Sequence, residues 1–147
     1  MKKVKLTVFG TVLAASVLAT AAFASTKTST IALKSTAVGK VLVGANGRTL
    51  YLFTADKGAK SVCYGQCATY WPPLMTAAKP VAAGRVQSSL LGTTKRKDGK
   101  LQVTYKGHPL YTFAEDHKPG QTTGEGSNNF GAKWYALAPS GATIDRD

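Results

Sequence analysis

Gly47-Arg48-Thr49-Leu50-Tyr51-Leu52-Phe53-Thr54-Ala55-Asp56-Lys57 returns later in the chain as Gly107-His108-Pro109-Leu110-Tyr111-Thr112-Phe113-Ala114-Glu115-Asp116-His117. Gly, Leu, Tyr, Phe and Asp recur at identical spacing, and Val43 and Val103 keep the same offset. Self-similarity of this kind marks two copies of one supersecondary unit. Each copy reads as a β-hairpin. In the first, residues 40–43 lead into Asn46-Gly47, a type I′ turn signal with positive φ at both central residues, and residues 49–53 return. In the second, Leu101, Val103 and Tyr105 alternate with Lys100, Gln102, Thr104 and Lys106, the pattern of a strand with one wet face. Lys106-Gly107 turns it into residues 108–113, and Asp98-Gly99 turns residues 93–97 into it, so the second half is a three-stranded meander.

Working outward, Trp134 to Ala138 reads as a further strand and Ser140-Gly141 as a turn. Short helical turns fit residues 63–70 and 87–91, and Pro72-Pro73 ends the first. Residues 75–86, rich in Ala, read as a surface connection between the halves. Residues 25–29 form a mobile polar tail, and the alternation of Ile31, Leu33 and Ser35 marks a candidate first strand. The expected fold is therefore all-β. Two related β-hairpin or meander repeats (about 39–74 and 99–138) surround one aromatic core, with one or two short helical turns. They form a single domain over 37–147, preceded by a tail and candidate strand over 25–36. Neither half has enough strands to stand alone, and whether the strands form a sandwich or a partly open barrel stays open.

The N-terminus reads as a targeting segment. Lys2, Lys3 and Lys5 precede an uncharged stretch over 6–24 that ends in Ala22-Phe23-Ala24, an A-x-A cleavage signal. The stretch is just long enough to span a bilayer, but Thr7, Gly10, Thr11, Ser16 and Thr20 dilute it. The expectation is a signal peptide over 1–24, cleavage after Ala24, a secreted or periplasmic product, and no membrane span after cleavage. No cysteine lies near that site, so a lipid anchor is not expected. The 147 residues carry 19 Lys and Arg against 7 Asp and Glu, and 44% are apolar. That composition suits one globular domain rather than a disordered chain. Two cysteines are too few for a disulfide-dense scaffold.

On the two six-residue segments Tyr51-Leu52-Phe53-Thr54-Ala55-Asp56 and Tyr111-Thr112-Phe113-Ala114-Glu115-Asp116, the chain resembles the bacterial secreted-repeat lipoproteins. That family is described by a Y-x-(F/W/Y)-x-x-D motif and has no known function. Cys63-Tyr64-Gly65-Gln66-Cys67-Ala68 with Trp71-Pro72-Pro73, Leu90-Leu91-Gly92-Thr93-Thr94, and Phe130-Gly131 with Lys133-Trp134-Tyr135 extend the resemblance from Gly39 to the C-terminus. The missing lipobox cysteine is the departure, so the lipoprotein label does not transfer. The resemblance implies export and architecture, not an activity.

Five groups of residues are candidates for chemistry. Cys63 and Cys67, an even and close pair in an exported chain, read as a disulfide. The alternative is a copper-type metal or redox site, with His108 or His117 supplying nitrogen. No C-x-x-C-H haem site is present. Asp56 and Asp116 read as caps that close the turn after each motif; the sharper reading is a carboxylate pair for hydrolysis. Tyr51, Phe53, Tyr111 and Phe113, at i and i+2 on one strand face, read as the core where the copies pack, with their hydroxyls on Asp56, Asp116 or carbonyls. Carbohydrate or haem stacking on these rings is the alternative. The glycine-rich stretch 117–132 is the candidate binding loop. Finally, Lys95, Arg96, Lys97, Lys100 and Lys106 crowd one hairpin, with Lys100 and Lys106 on one strand face. They read as an edge-protecting surface or as a site for polyanions. No specific nucleic-acid motif accompanies them. The expectation is a non-catalytic exported binding or structural domain with no cofactor. Its partners would be anionic envelope components or another envelope protein. A periplasmic copper or redox accessory protein and a carboxylate-dependent hydrolase are the alternatives.

Overall fold

The computed structural model describes residues 27–145; the expected signal peptide lies outside them. The strands are β1 (Thr30–Thr36), β2 (Gly39–Gly44), β3 (Tyr51–Phe53), β4 (Met75–Thr76), β5 (Val81–Ala82), β6 (Leu91–Lys95), β7 (Leu101–Tyr105), β8 (His108–Pro109), β9 (Asn128–Asn129) and β10 (Ala132–Ala136). One short helix, α1 (Gln66–Tyr70), and a 3-10 turn (Ser88–Leu90) are the helical turns. The fold is all-β. No helix among the described residues is long and apolar enough to cross a membrane.

Both halves are meanders. β1 pairs antiparallel with β2, and Leu50 N–H donates to Leu42 O at 3.0 Å on the return. In the second half β6 pairs with β7 and β7 with β8, and Leu110 N–H donates to Val103 O at 2.9 Å. Those two bonds make Leu42 the counterpart of Val103. The middle strand is therefore slipped by one residue relative to its flanks, and the Val43–Val103 match of the sequence is not a structural equivalence. The slip comes from the turns. Thr36 faces Gly39 across a two-residue turn in the first meander, whereas Arg96 and Lys100 bracket three residues in the second. The next turn reverses the difference. Gly44 N–H bonds Arg48 O around three residues, while Tyr105 faces His108 across two.

Turn chemistry explains which is which. Lys106 and Gly107 both have positive φ (49° and 77°), the geometry of a type I′ hairpin. Asn46-Gly47 is not such a turn, because among the described residues only Lys106 and Phe130 are non-glycine residues with positive φ. Instead Gly47 N–H bonds Gly44 O, and Asn46 Oδ1 accepts Arg48 N–H at 3.1 Å. The same pattern recurs at Asp98-Gly99-Lys100 and at Ser140-Gly141-Ala142. An Asn, Asp or Ser side chain holds the N–H two residues on, and glycine takes the left-handed position.

The strand that finishes each meander comes from the other half. β10 ends repeat 2 in sequence but pairs with β3, Trp134 opposite Phe53, and Leu42 N–H donates to Leu137 O. Residues 70–76 end repeat 1 in sequence but pair with repeat 2. Val103 N–H donates to Leu74 O, Tyr111 bridges Pro73, and β4 pairs with β7. Residues 75–86 are thus not a plain surface connection: β4 lies in one sheet and β5 pairs in parallel with β1 in another. The described part of the tail is docked as well. Ser29 donates to Thr76 Oγ1 and Met75 O, and its own carbonyl accepts Val81 N–H.

The interior has an aromatic cluster centred on Tyr51, Phe53, Trp71, Tyr111 and Trp134. A second cluster is mainly aliphatic, with Ile31, Leu42, Leu50, Leu91, Val103 and Leu110. β7 has no wet face, since Gln102 and Thr104 are buried alongside Val103 and Tyr105.

Candidate functional site

The two motif segments meet at their tyrosines. Tyr51 N–H donates to Tyr111 O at 2.8 Å and Tyr111 N–H to Tyr51 O at 3.0 Å. This reciprocal pair relates the copies as an approximate two-fold axis would. Trp71 stacks on Trp134 with centroids 4.0 Å apart and planes at 6°. Tyr51 meets Trp71 edge-on, and Tyr111 meets Trp134 the same way. Phe53 stacks on Trp134 and Phe113 on Trp71, completing the pseudo-symmetric set. Phe113 departs from the expected strand face. It lies beyond β8 in irregular chain and is only half-buried. The tryptophans are not among the sequence candidates, although Trp71 and Trp134 both stand in the segments that carry the family resemblance.

The hydroxyls cross between copies. Tyr51 donates to Asp116 Oδ2 at 2.6 Å, and Tyr111 to Asp56 Oδ2 at 2.8 Å. Each aspartate also closes its own loop, as its turn-capping reading requires: Asp56 Oδ1 accepts Val62 N–H, and Asp116 Oδ1 accepts Thr123 N–H and Oγ1–H. Burial raises the Asp56 carboxyl above its ordinary value, opposed by the Val62 and Tyr111 hydrogen bonds and by Arg96. Burial, reinforced by the neighbouring carboxylates, raises both tyrosines far above the usual phenol range. A phenol so held keeps its proton and donates it; it is a strut rather than a base.

Cys63 and Cys67 are joined by a disulfide that straddles the start of α1. Both cysteines are buried in the aromatic cluster. His108 lies in β8, and exposed His117 sits 3.8 Å from Glu115. Among the described residues no cluster of three or more His, Cys, Asp or Glu could hold a metal.

The basic hairpin divides. Lys95, Lys97, Lys100 and Lys106 are exposed, but Arg96 is buried, 7% exposed. Its guanidinium donates to Ser61 Oγ, Gln102 Oε1 and Cys63 O and lies 4.2 Å above the Tyr64 ring. Ser61 Oγ is in turn 2.7 Å from Tyr111 Oη, so Arg96 belongs to the polar frame under the core. Arg96 is thus turned away from any polyanion in solution. Lys100 and Lys106 also lie outside β7, in the turns at its two ends, not on one strand face.

The stretch 117–132 is folded onto the body. Gly120 N–H bonds Gly47 O, and Gln121 O accepts the Thr49 hydroxyl. Gly124 lies under Trp71, where a Cβ would sit 2.7 Å from the ring. Its glycines thus serve close packing as well as turns.

A family described as a secreted repeat of unknown function matches residues 32–75 and 92–138. The chain belongs to this family. The two matched segments are the two repeats, each carrying one Tyr-x-Phe-x-x-Asp motif. No curated protein and no solved structure gives a significant match.

Proposed function

We propose that this secreted-repeat protein is a non-catalytic domain of the cell envelope or exterior, exported by cleavage after Ala24 and without a lipid anchor. It binds anionic envelope components through exposed lysines at the two ends of β7. The observation that carries the non-catalytic reading is the use of every motif carboxylate and hydroxyl in cross-repeat hydrogen bonds. The electrostatic part rests on Lys95, Lys97, Lys100 and Lys106, which surround the β6–β7–β8 meander and face solvent in a chain that stays strongly basic after Lys2, Lys3 and Lys5 leave with residues 1–24. Arg96 is excluded from it, and no cofactor is part of the reading.

The test is retention on an anionic matrix as a function of salt. Replacing the four lysines by glutamine lowers the eluting salt concentration if they form the contact; unchanged retention rejects it. Intact mass of the exported product should begin at Ser25 and lack two hydrogens for the disulfide. A product retaining residues 1–24 would reject cleavage.

A further inference from the structure

The β9–β10 hairpin closes through Phe130-Gly131, with φ of 58° and 84° and Ala132 opposite Asn129. A two-residue turn of this kind favours Asn, Asp or Gly at its first position. A bulky residue at positive φ is strained, and such strain tends to cluster where a ligand is held. Burial does not compensate, because Phe130 is 43% exposed. Its ring instead lies 6.0 Å from that of Tyr70, itself 44% exposed, at the end of α1. The two rings line a cleft of about 250 Å³ together with Trp71, Phe113, Glu115 and Asn129.

The polar groups of the cleft narrow the ligand. The Glu115 carboxylate accepts, and the Asn129 amide both donates and accepts. Trp71 is fully buried and backs the cleft, while the exposed Tyr70 and Phe130 rings offer the faces a ligand can reach. Aromatic faces combined with both donors and acceptors match a sugar ring. Its C–H face packs on the aromatics, and its hydroxyls both donate and accept. A quaternary ammonium would use the rings and the carboxylate but offers no acceptor to an N–H, and a strongly basic chain disfavours it.

We propose that the cleft between Tyr70 and Phe130 binds a sugar ring of a neutral glycan. The site is separate from the lysines at the ends of β7, so its occupancy is insensitive to salt and to lysine replacement. The test is calorimetric titration of the full exported chain, disulfide intact and at high salt, with chitohexaose, cellohexaose and maltohexaose. Tetramethylammonium serves as the cation probe. At least one sugar should bind, and Tyr70→Ala and Phe130→Asn should each weaken it about tenfold, the scale of one lost aromatic contact. Phe130→Asn should also keep or raise the melting temperature, because Asn suits the turn. Failure of all three sugars, equal binding by both variants, or uptake of tetramethylammonium in their place overturns the site. A lower melting temperature for Phe130→Asn overturns the reading of Phe130 as a residue held for ligand.

Discussion

At the residue scale the chemistry of the motif lies in two crossed tyrosine–aspartate bonds. Asp116 is 1% exposed and takes the Tyr51 hydroxyl, so Asp116→Ala leaves a buried donor unmatched. The expected loss is about 1–3 kcal/mol, read by denaturant unfolding. A hydrolase would instead keep a stable Asp116→Asn variant and lose turnover. Ionisation has a definite sign. Tyr51 and Tyr111 have folded-state values above the ordinary phenol value of 10.0, so the folded state holds their protons longer than the unfolded chain does. Their contribution is complete below pH 10.0 and is lost as pH rises above it. Alkaline titration followed at the tyrosinate absorbance should show these two ionising only with unfolding. Asp56 is also raised, from 3.8, and for a carboxylate this means protonation favours the fold. Stability falls through Asp56 as pH rises above 3.8, and Asp56→Asn should lack that slope when compared with the parent chain.

At the element scale local turn chemistry and close approach set the geometry. Gly124 admits Trp71 to the stack, so Gly124→Ala pushes a methyl group into the ring. A destabilisation of about 1–3 kcal/mol is expected in thermal unfolding, and the near-ultraviolet dichroism of the tryptophans should change. The disulfide closes a very small loop across the start of α1. In the chain-entropy model it contributes about 2 kcal/mol. Cys63→Ser with Cys67→Ser should therefore lower stability by about that amount and leave a folded protein. Much of this level was legible in advance: the turns at Asp98-Gly99, Lys106-Gly107 and Ser140-Gly141, the helical turn before Pro72, and the cysteine pair. Asn46-Gly47 was read as the wrong turn, because the dipeptide serves either a two-residue type I′ turn or a three-residue turn with glycine left-handed. The number of residues between pairing partners decides between them, and strand register is not a local property.

At the scale of the whole molecule the repeats exchange their finishing strands. β10 completes repeat 1, and residues 70–76 complete repeat 2. Each half holds strands of its own, but each is completed by a strand of the other. Fragments cut just before the 3-10 turn, 27–86 and 87–145, should each be unfolded alone and recover the native dichroism when mixed. A folded isolated fragment would contradict the exchanged arrangement. The same arrangement sends Arg96 inward. Ser61, Cys63 and Gln102, its three hydrogen-bond partners, come from both halves, so only the assembled core offers a guanidinium a better place than solvent.

The amino-acid sequence by itself determined that this protein is all-β and built from two copies of one unit, with Tyr51, Phe53 and Tyr111 in the core, and it offered Cys63 and Cys67 as a disulfide beside a metal-site alternative. Those features rest on alternation, turn residues and spacing, which act between near neighbours along the chain. Only the tertiary structure decided that Tyr51 bonds Asp116 and Tyr111 bonds Asp56, that the copies trade strands, and that Arg96, Gln102 and the two tryptophans lie inside. Those outcomes depend on partners distant in sequence. A hydroxyl or guanidinium can be satisfied by water or by many protein groups until packing removes water and leaves one partner within reach.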